Sequence, residues 1–88
     1  MTPEEVLALA KQAVSDGRCY PTGHCMDRMQ DRNASVRDIK RAIRTASSAE
    51  ETDNGTWRIS GGKDSDDEAL VPVIKIEGTT IHLITILG

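Results

Sequence analysis

The chain has 88 residues and carries 14 acidic and 11 basic side chains, which gives a net charge of −3. This length suits one domain and is too short for two. A hydrophobic fraction of 38% is typical of a folded globule and not of a disordered chain. Tyr20 and Trp57 are the only aromatic residues, so the core must be aliphatic and stacking platforms for single-stranded bases are few.

The basic residues are concentrated in the middle of the chain. Residues 17–46 contain seven basic and three acidic side chains, whereas residues 47–88 contain three basic and eight acidic ones. This pattern indicates either a solvated helix face or a patch that meets anions, and both interpretations stay open at this point.

Three helices are predicted in the first half of the chain. A Thr-x-x-Glu capping box at Thr2, with proline at the first helical position, predicts a helix over 3–15. A short second helix over 24–32 follows a connector. A Ser-x-x-Asp box at Ser35 predicts a third helix over 36–46, whose polar side, with its arginines and Lys40, is interpreted as a solvated face.

Strands are predicted over 56–60, 69–77 and 79–87, with a mobile acidic loop at 61–68. Helices followed by strands predict the α+β class: three N-terminal helices packed on a C-terminal antiparallel sheet of about three strands. The apolar stripes of these elements predict a core that includes Leu9, Val14, Met29, Ile39, Ile43, Ile74, Ile81 and Leu83.

The last two strands are predicted to form a hairpin around a Glu77-Gly78 turn. This turn would pair Ile74 with Ile81 and would place Leu87 on the same face as Ile81, with Ile86 on the other face. Pro72 argues that its strand lies at an edge or contains a bulge, because proline donates no ladder hydrogen bond.

Cys19 and Cys25 fit neither a disulfide framework nor a zinc spacing, so they are predicted to be reduced structural thiols. The N-terminus has no signal-peptide pattern and no segment is apolar enough to span a membrane, so a cytoplasmic protein without a membrane partner is expected.

His24, Arg28 and Arg32 are the residues with chemical character. Their i, i+4, i+8 spacing places them on one helical face, beside the apolar stripe, where they could line a shallow cleft. An imidazole can transfer protons near neutral pH, and two guanidinium groups can hold a phosphate. Arg58 and His82 would complete a substrate-binding site if the sheet faces this helix. No metal or other cofactor is required.

A non-catalytic interpretation stands beside this one. Asp27 and Asp31 are close in sequence to Arg28 and Arg32, and such charge placement is common on solvated helices. The stripe would then be structural, and the protein would act as a protein-binding module.

The run from His24 to Ile39 resembles the small bacterial proteins grouped as domain of unknown function 4258. Their signature is His-x3-Arg-Met-x2-Arg, a short turn with Ser or Thr, and then Asp/Glu-Ile. The segment from Leu70 to Ile86 is similar to the closing hairpin of that family, and one departure is Asn33, where the family usually has glycine. The resemblance covers roughly residues 22–87.

The resemblance implies a fold similar to RelE/barnase-like ribonuclease toxins, with His24, Arg28 and Arg32 as the active positions. Two functions are therefore carried forward. The first is a toxin-like, metal-independent endoribonuclease that acts on RNA by general acid/base catalysis and has a cognate antitoxin or other protein partner. The second is the non-catalytic protein-binding module.

Overall fold

The computed structural model describes residues 1–87. This part of the chain forms three helices, α1 (Pro3–Asp16), α2 (Gly23–Asp31) and α3 (Val36–Thr45). Five strands are present in these residues: β1 (Cys19–Pro21), β2 (Ser48–Glu51), β3 (Trp57–Ser60), β4 (Val71–Glu77) and β5 (Thr80–Leu87). The prediction of an α+β fold with three helices is confirmed, whereas the sheet is larger than the three strands predicted.

Two of the helices, α1 and α3, begin where the sequence predicts a cap, whereas α2 begins at a cap, Thr22, that was not predicted. In both capping boxes, at Thr2 and at Ser35, the hydroxyl accepts from a backbone N–H while the carboxylate three residues on accepts from the cap residue. Gly17 ends α1 with a left-handed φ of 77°, which glycine adopts at no steric cost. No helix within residues 1–87 is long and apolar enough to cross a lipid bilayer.

The sheet has the strand order β1-β5-β4-β3-β2, and it is mixed. The edge strand β1 pairs with β5 in parallel, while the other neighbours are antiparallel. The wholly antiparallel sheet that the sequence predicts is therefore wrong in one ladder. The connector after α1 forms β1 because the carbonyl of Arg18 and the amide of Thr22 each bond to the exposed edge of β5.

The β4–β5 hairpin forms around Gly78-Thr79 and not around the predicted Glu77-Gly78. Ile76 pairs with Ile81 and Ile74 pairs with Leu83, so the predicted Ile74–Ile81 pair does not form. The reason lies in the turn, because Gly78 has a φ of 63° and takes the first loop position, where a left-handed conformation favours glycine.

A bulge then changes which β5 side chains face the core. The register shifts between Val73 and Ile74, and this leaves one extra residue in β5. As a result Ile86 is fully buried, and Leu87, predicted to lie on the core face, is 39% exposed. Pro72 lies beside this bulge and beyond the last β3–β4 pair, so its missing amide removes no bond to β3.

The three helices cover one face of the sheet. Their buried side chains form a single cluster with residues such as Trp57, Ile74 and Ile81. Of the predicted core, only Leu9 is partly rather than fully buried, and it packs against this cluster. The opposite face, called here the outer face, carries the residues that alternate with this core, including Tyr20, Arg58 and Lys75.

The acidic segment between β3 and β4 lies along α3. The backbone N–H of Ser65 donates to the Asp38 carboxylate at 3.1 Å, and Nε of Arg41 donates to the carbonyl of Asp64 at 3.1 Å. The N–H of Lys63 donates to the Thr45 hydroxyl at 2.9 Å. The segment predicted to be a mobile loop is therefore hydrogen-bonded to the helix.

Candidate functional site

The first turn of α2 is fastened to strand β5. The Thr22 hydroxyl accepts from the backbone N–H of Cys25 at 3.2 Å and donates to the carbonyl of Leu83 at 2.9 Å. The Thr22 amide donates to the same carbonyl at 3.0 Å. A serine or threonine at this position can make both bonds, so the cap fixes where α2 begins relative to the sheet.

His24, Arg28 and Arg32 follow one side of α2, and they are called here the α2 trio. His24 is the second residue of the helix and is exposed, while Arg28 and the C-cap Arg32 are partly buried. Cys25 and Met29 form the adjoining buried stripe. Exposure therefore decreases from His24 toward the core, as their angular positions on a helix require.

The carboxylates near the α2 trio do not neutralise it. Asp27 and Asp31 are neighbours in sequence, yet the ion pairs found in residues 1–87 join neither Arg28 nor Arg32 to any carboxylate. Neither guanidinium group is therefore held by a carboxylate in an ion pair within these residues. The interpretation of this stripe as an ion-paired surface has no support in the described part of the chain.

Arg58 and His82 do not meet the α2 trio. Arg58 lies between the core residues Trp57 and Ile59, and its guanidinium pairs across the outer face with Glu50 at 3.1 Å. Its position on that face follows from strand alternation.

His82 is likewise on the outer face, between the buried Ile81 and Leu83. Its Nε2 lies 3.7 Å from the Glu77 carboxylate, and its ring centroid lies 6.4 Å from that of Tyr20. Because the helices pack on the other face of the sheet, neither Arg58 nor His82 joins the α2 trio.

Two clefts among the described residues are candidates for a site. One, of about 110 Å³, lies between α1 and β2 and is lined by Pro3, Glu4, Leu7, Ser47, Ser48 and Ala49. The other, of about 440 Å³, lies between α3 and the acidic segment and is called here the α3 groove; it is lined by Ser35, Arg37, Asp38, Arg41, Arg44, Ser65 and Asp66. Neither contains the α2 trio, so the cleft expected around those three residues is not one of these two.

The sequence interpretation missed the α3 groove. The spacing of Arg37, Arg41 and Arg44 at i, i+4 and i+7 was the available signal, since it aligns three guanidinium groups on one helical face. The opposite wall comes from residues more than 20 positions away, and no local pattern predicts that it folds against α3.

The two cysteines are both free and both buried. Burial raises the pKa of the Cys19 thiol to about 11, and it also raises the pKa of the Cys25 thiol. Thiols in such surroundings are unreactive, because the thiolate is the nucleophile. No group of three or more metal-ligating side chains occurs in the part of the chain that the structure describes.

Asn33 completes the end of α2 with a φ of 54°. Its N–H donates to the carbonyl of Gln30, and the N–H of Ala34 donates to the carbonyl of Met29, which is the pattern of a Schellman motif. Asparagine is one of the few residues that tolerate this conformation. Asn33 can therefore occupy a position where glycine would otherwise be favoured.

This geometry defines a small α+β protein whose helices cover one face of a mixed five-stranded sheet. The family model for a domain of unknown function, DUF4258, matches residues 22–87, and the chain belongs to that family. The matched segment begins at the Thr22 cap and includes the α2 trio, the α3 groove and the closing hairpin. Searches of the curated proteins and of the solved structures gave no match.

Proposed function

We propose that this protein is a small, toxin-like endoribonuclease that cleaves RNA without a metal ion, with the α2 trio as its active residues. The observation that carries the proposal is that two partly buried arginines lie beside an exposed histidine with no carboxylate paired to either guanidinium in residues 1–87. Unpaired guanidinium groups of this kind bind phosphate through charge-assisted hydrogen bonds.

The spacing of the trio along α2 supports different roles for the two arginines. At 1.5 Å per residue, His24 and Arg28 are about 6 Å apart along the helix axis and Arg32 is about 6 Å further on. One phosphate can meet His24 and Arg28 together, whereas Arg32 is better placed for the neighbouring phosphate. Arg28 would stabilise the charge that develops on phosphorus, and Arg32 would hold the strand.

The reaction requires only groups that the RNA, the chain and water supply. The ribose 2′-oxygen forms a bond to the adjacent phosphorus, and the bond from phosphorus to the 5′-oxygen breaks. His24 serves one of the two proton transfers as general acid or base, and water serves the other. The products carry a 2′,3′-cyclic phosphate and a 5′-hydroxyl, and no metal-bound water takes part.

The outer face of the sheet favours a second candidate function, a non-catalytic protein-binding module. Within residues 1–87 no helix packs on this face, and it exposes 53% of Tyr20 and 39% of Leu87. Exposed aromatic and aliphatic side chains are common at protein interfaces. A protein partner, whether an antitoxin of the nuclease or the ligand of a binding module, would make apolar contacts with this face.

The deciding experiment is incubation of the purified protein and its variants with a mixed-sequence RNA in the presence of EDTA. The wild type should cleave, and His24→Ala should lose about 10²–10⁴ in rate, as is usual for a general acid or base. Arg28→Ala should lose about 10²–10³ in kcat, the size expected for a group that stabilises transition-state charge. Arg32→Ala should raise KM more than it lowers kcat.

His82→Ala is the matched control because His82 is the only other histidine and lies on the opposite face. It should cleave like the wild type. Circular dichroism should show that all four variants are folded. A wild type that leaves the RNA intact, or a His24→Ala variant as active as the wild type, would sink the nuclease proposal and leave the binding module.

A further inference from the structure

The α3 groove is built from two elements that hold each other in place. One side of the groove is the exposed face of α3, and the other side is the acidic segment. Gly62 of this segment packs directly on the carbonyl of Ala42. Three hydrogen bonds fasten this wall to the helix, one each from the amides of Lys63 and Ser65 and one from Arg41. The groove is therefore formed before any ligand arrives.

Three arginines line this groove along about 10 Å of helix, given the 1.5 Å rise per residue. Arg37 and Arg44 take part in none of the ion pairs or side-chain hydrogen bonds found in residues 1–87. Arg41 uses Nε for the wall and keeps its two terminal nitrogens. The groove thus presents guanidinium donors that the protein itself does not satisfy.

The carboxylates of the groove do not satisfy these arginines either. Asp38 accepts from the N–H and hydroxyl of Ser35 through one oxygen and from the N–H of Ser65 through the other. These bonds hold the pKa of Asp38 at about 2, so the carboxylate stays ionised while its oxygens are occupied by its own donors. Counted as formal charges, the three guanidinium groups of the groove exceed the carboxylates of Asp38 and Asp66 by one.

We propose that the α3 groove binds phosphate groups, presented either by a nucleotide with consecutive phosphates or by the backbone of an RNA strand. Each phosphate offers several acceptor oxygens, so a compact ligand can serve arginines that stand one turn apart. The groove volume of about 440 Å³ also falls in the range of nucleotide-sized pockets.

The groove is separate from the α2 trio but close to it in the chain. Arg32 and Ser35 are three residues apart, so their Cα atoms are at most about 11 Å from each other. A strand held on α2 can reach the groove, yet phosphate binding in the groove does not depend on cleavage at α2. The two proposals can consequently fail independently.

The test measures binding of two probes that the protein cannot cleave. Pyrophosphate is titrated by calorimetry, and a fluorescent 2′-O-methyl RNA of about ten nucleotides, which lacks the attacking hydroxyl, is titrated by anisotropy. Arg37→Ala or Arg44→Ala should weaken binding about tenfold or more, the loss expected for a charge-assisted hydrogen bond. If RNA is the ligand, each substitution should also reduce the salt dependence of log K by about 0.7.

Lys75→Ala is the control, since it removes one positive charge from the exposed outer face. It should leave binding of both probes unchanged. Tight binding of pyrophosphate with weak binding of RNA identifies a nucleotide site, and the reverse identifies an RNA track. The proposal is overturned if the wild type binds neither probe, if Lys75→Ala weakens binding as much as Arg37→Ala does, or if polyglutamate competes as well as pyrophosphate.

Discussion

Gly62 lies against the backbone of α3, and a methyl group at this position has no room. A Cβ built there overlaps the carbonyl oxygen of Ala42 and stands 2.7 Å from its carbonyl carbon. That backbone belongs to a helix and cannot move alone. In Gly62→Ala the acidic segment must therefore retreat from α3.

The loss in the free energy of unfolding follows from the contacts that are strained when the segment moves away from α3. Overpacking in a fixed environment costs about 1–3 kcal/mol. The Lys63–Thr45 bond at 2.9 Å and the Leu70–Gly62 bond at 3.3 Å flank the site, and each contributes about 1 kcal/mol. A loss of about 2–5 kcal/mol follows, a large share of the roughly 4–13 kcal/mol expected for a domain of this size.

Gly23→Ala is the matched control, because a Cβ on Gly23 meets nothing within 4 Å and the residue begins a helix. It should change stability by no more than about 1 kcal/mol, in the stabilising direction. Urea unfolding followed by circular dichroism measures both variants, and Gly62→Ala should also melt about 10 °C or more below the wild type. If Gly62→Ala unfolds at the same urea concentration as the wild type, the close contact with α3 is wrong.

Three further predictions concern the core, a carboxylate and the thiols. Ile43→Ala and Leu83→Ala each leave a cavity at a fully buried position, so each should lower the free energy of unfolding, measured in urea, by about 2–5 kcal/mol. If both variants are as stable as the wild type, these residues do not belong to the core. The pKa of Asp38 is lowered from 3.8 to about 2, so its stabilisation is present above about pH 4 and is lost as the pH falls toward 2. The stability difference between wild type and Asp38→Asn should accordingly shrink over that interval, and a constant difference would contradict the reasoning. Because burial raises the pKa of Cys19 and Cys25, a thiol reagent at about pH 8 should label them slowly in native protein and quickly in urea; fast native labelling would show that they are accessible.

The helices were predictable because their signals are local. A capping box brings together residues three positions apart, so Thr2 with Glu5 and Ser35 with Asp38 specify a helix start without any tertiary contact. The existence of a C-terminal hairpin was predictable for the same reason. The order of these elements predicted the α+β class, and their apolar stripes predicted most of the buried residues.

Strands β1 and β2 were not predictable, because neither has a strand pattern of its own. β1 contains a proline, and β2 reads Ser-Ala-Glu-Glu, residues with weak preference for strands. Each forms because a neighbouring strand presents unpaired backbone groups, and that neighbour is more than 60 residues away for β1. The β5 bulge is similar, since only its pairing with β4 fixes the shift.

The candidate sites also differ in whether local sequence or contacts between distant segments determine them. The sequence by itself determined that His24, Arg28 and Arg32 share one side of a helix, since this depends only on helical periodicity. Tertiary structure decided that Arg58 and His82 lie on the far face of the sheet, because strand alternation gives a residue one of two faces and only packing decides which face the helices cover. It also decided that the arginines of α3 line a groove, because the wall opposite them arrives from a distant segment of the chain.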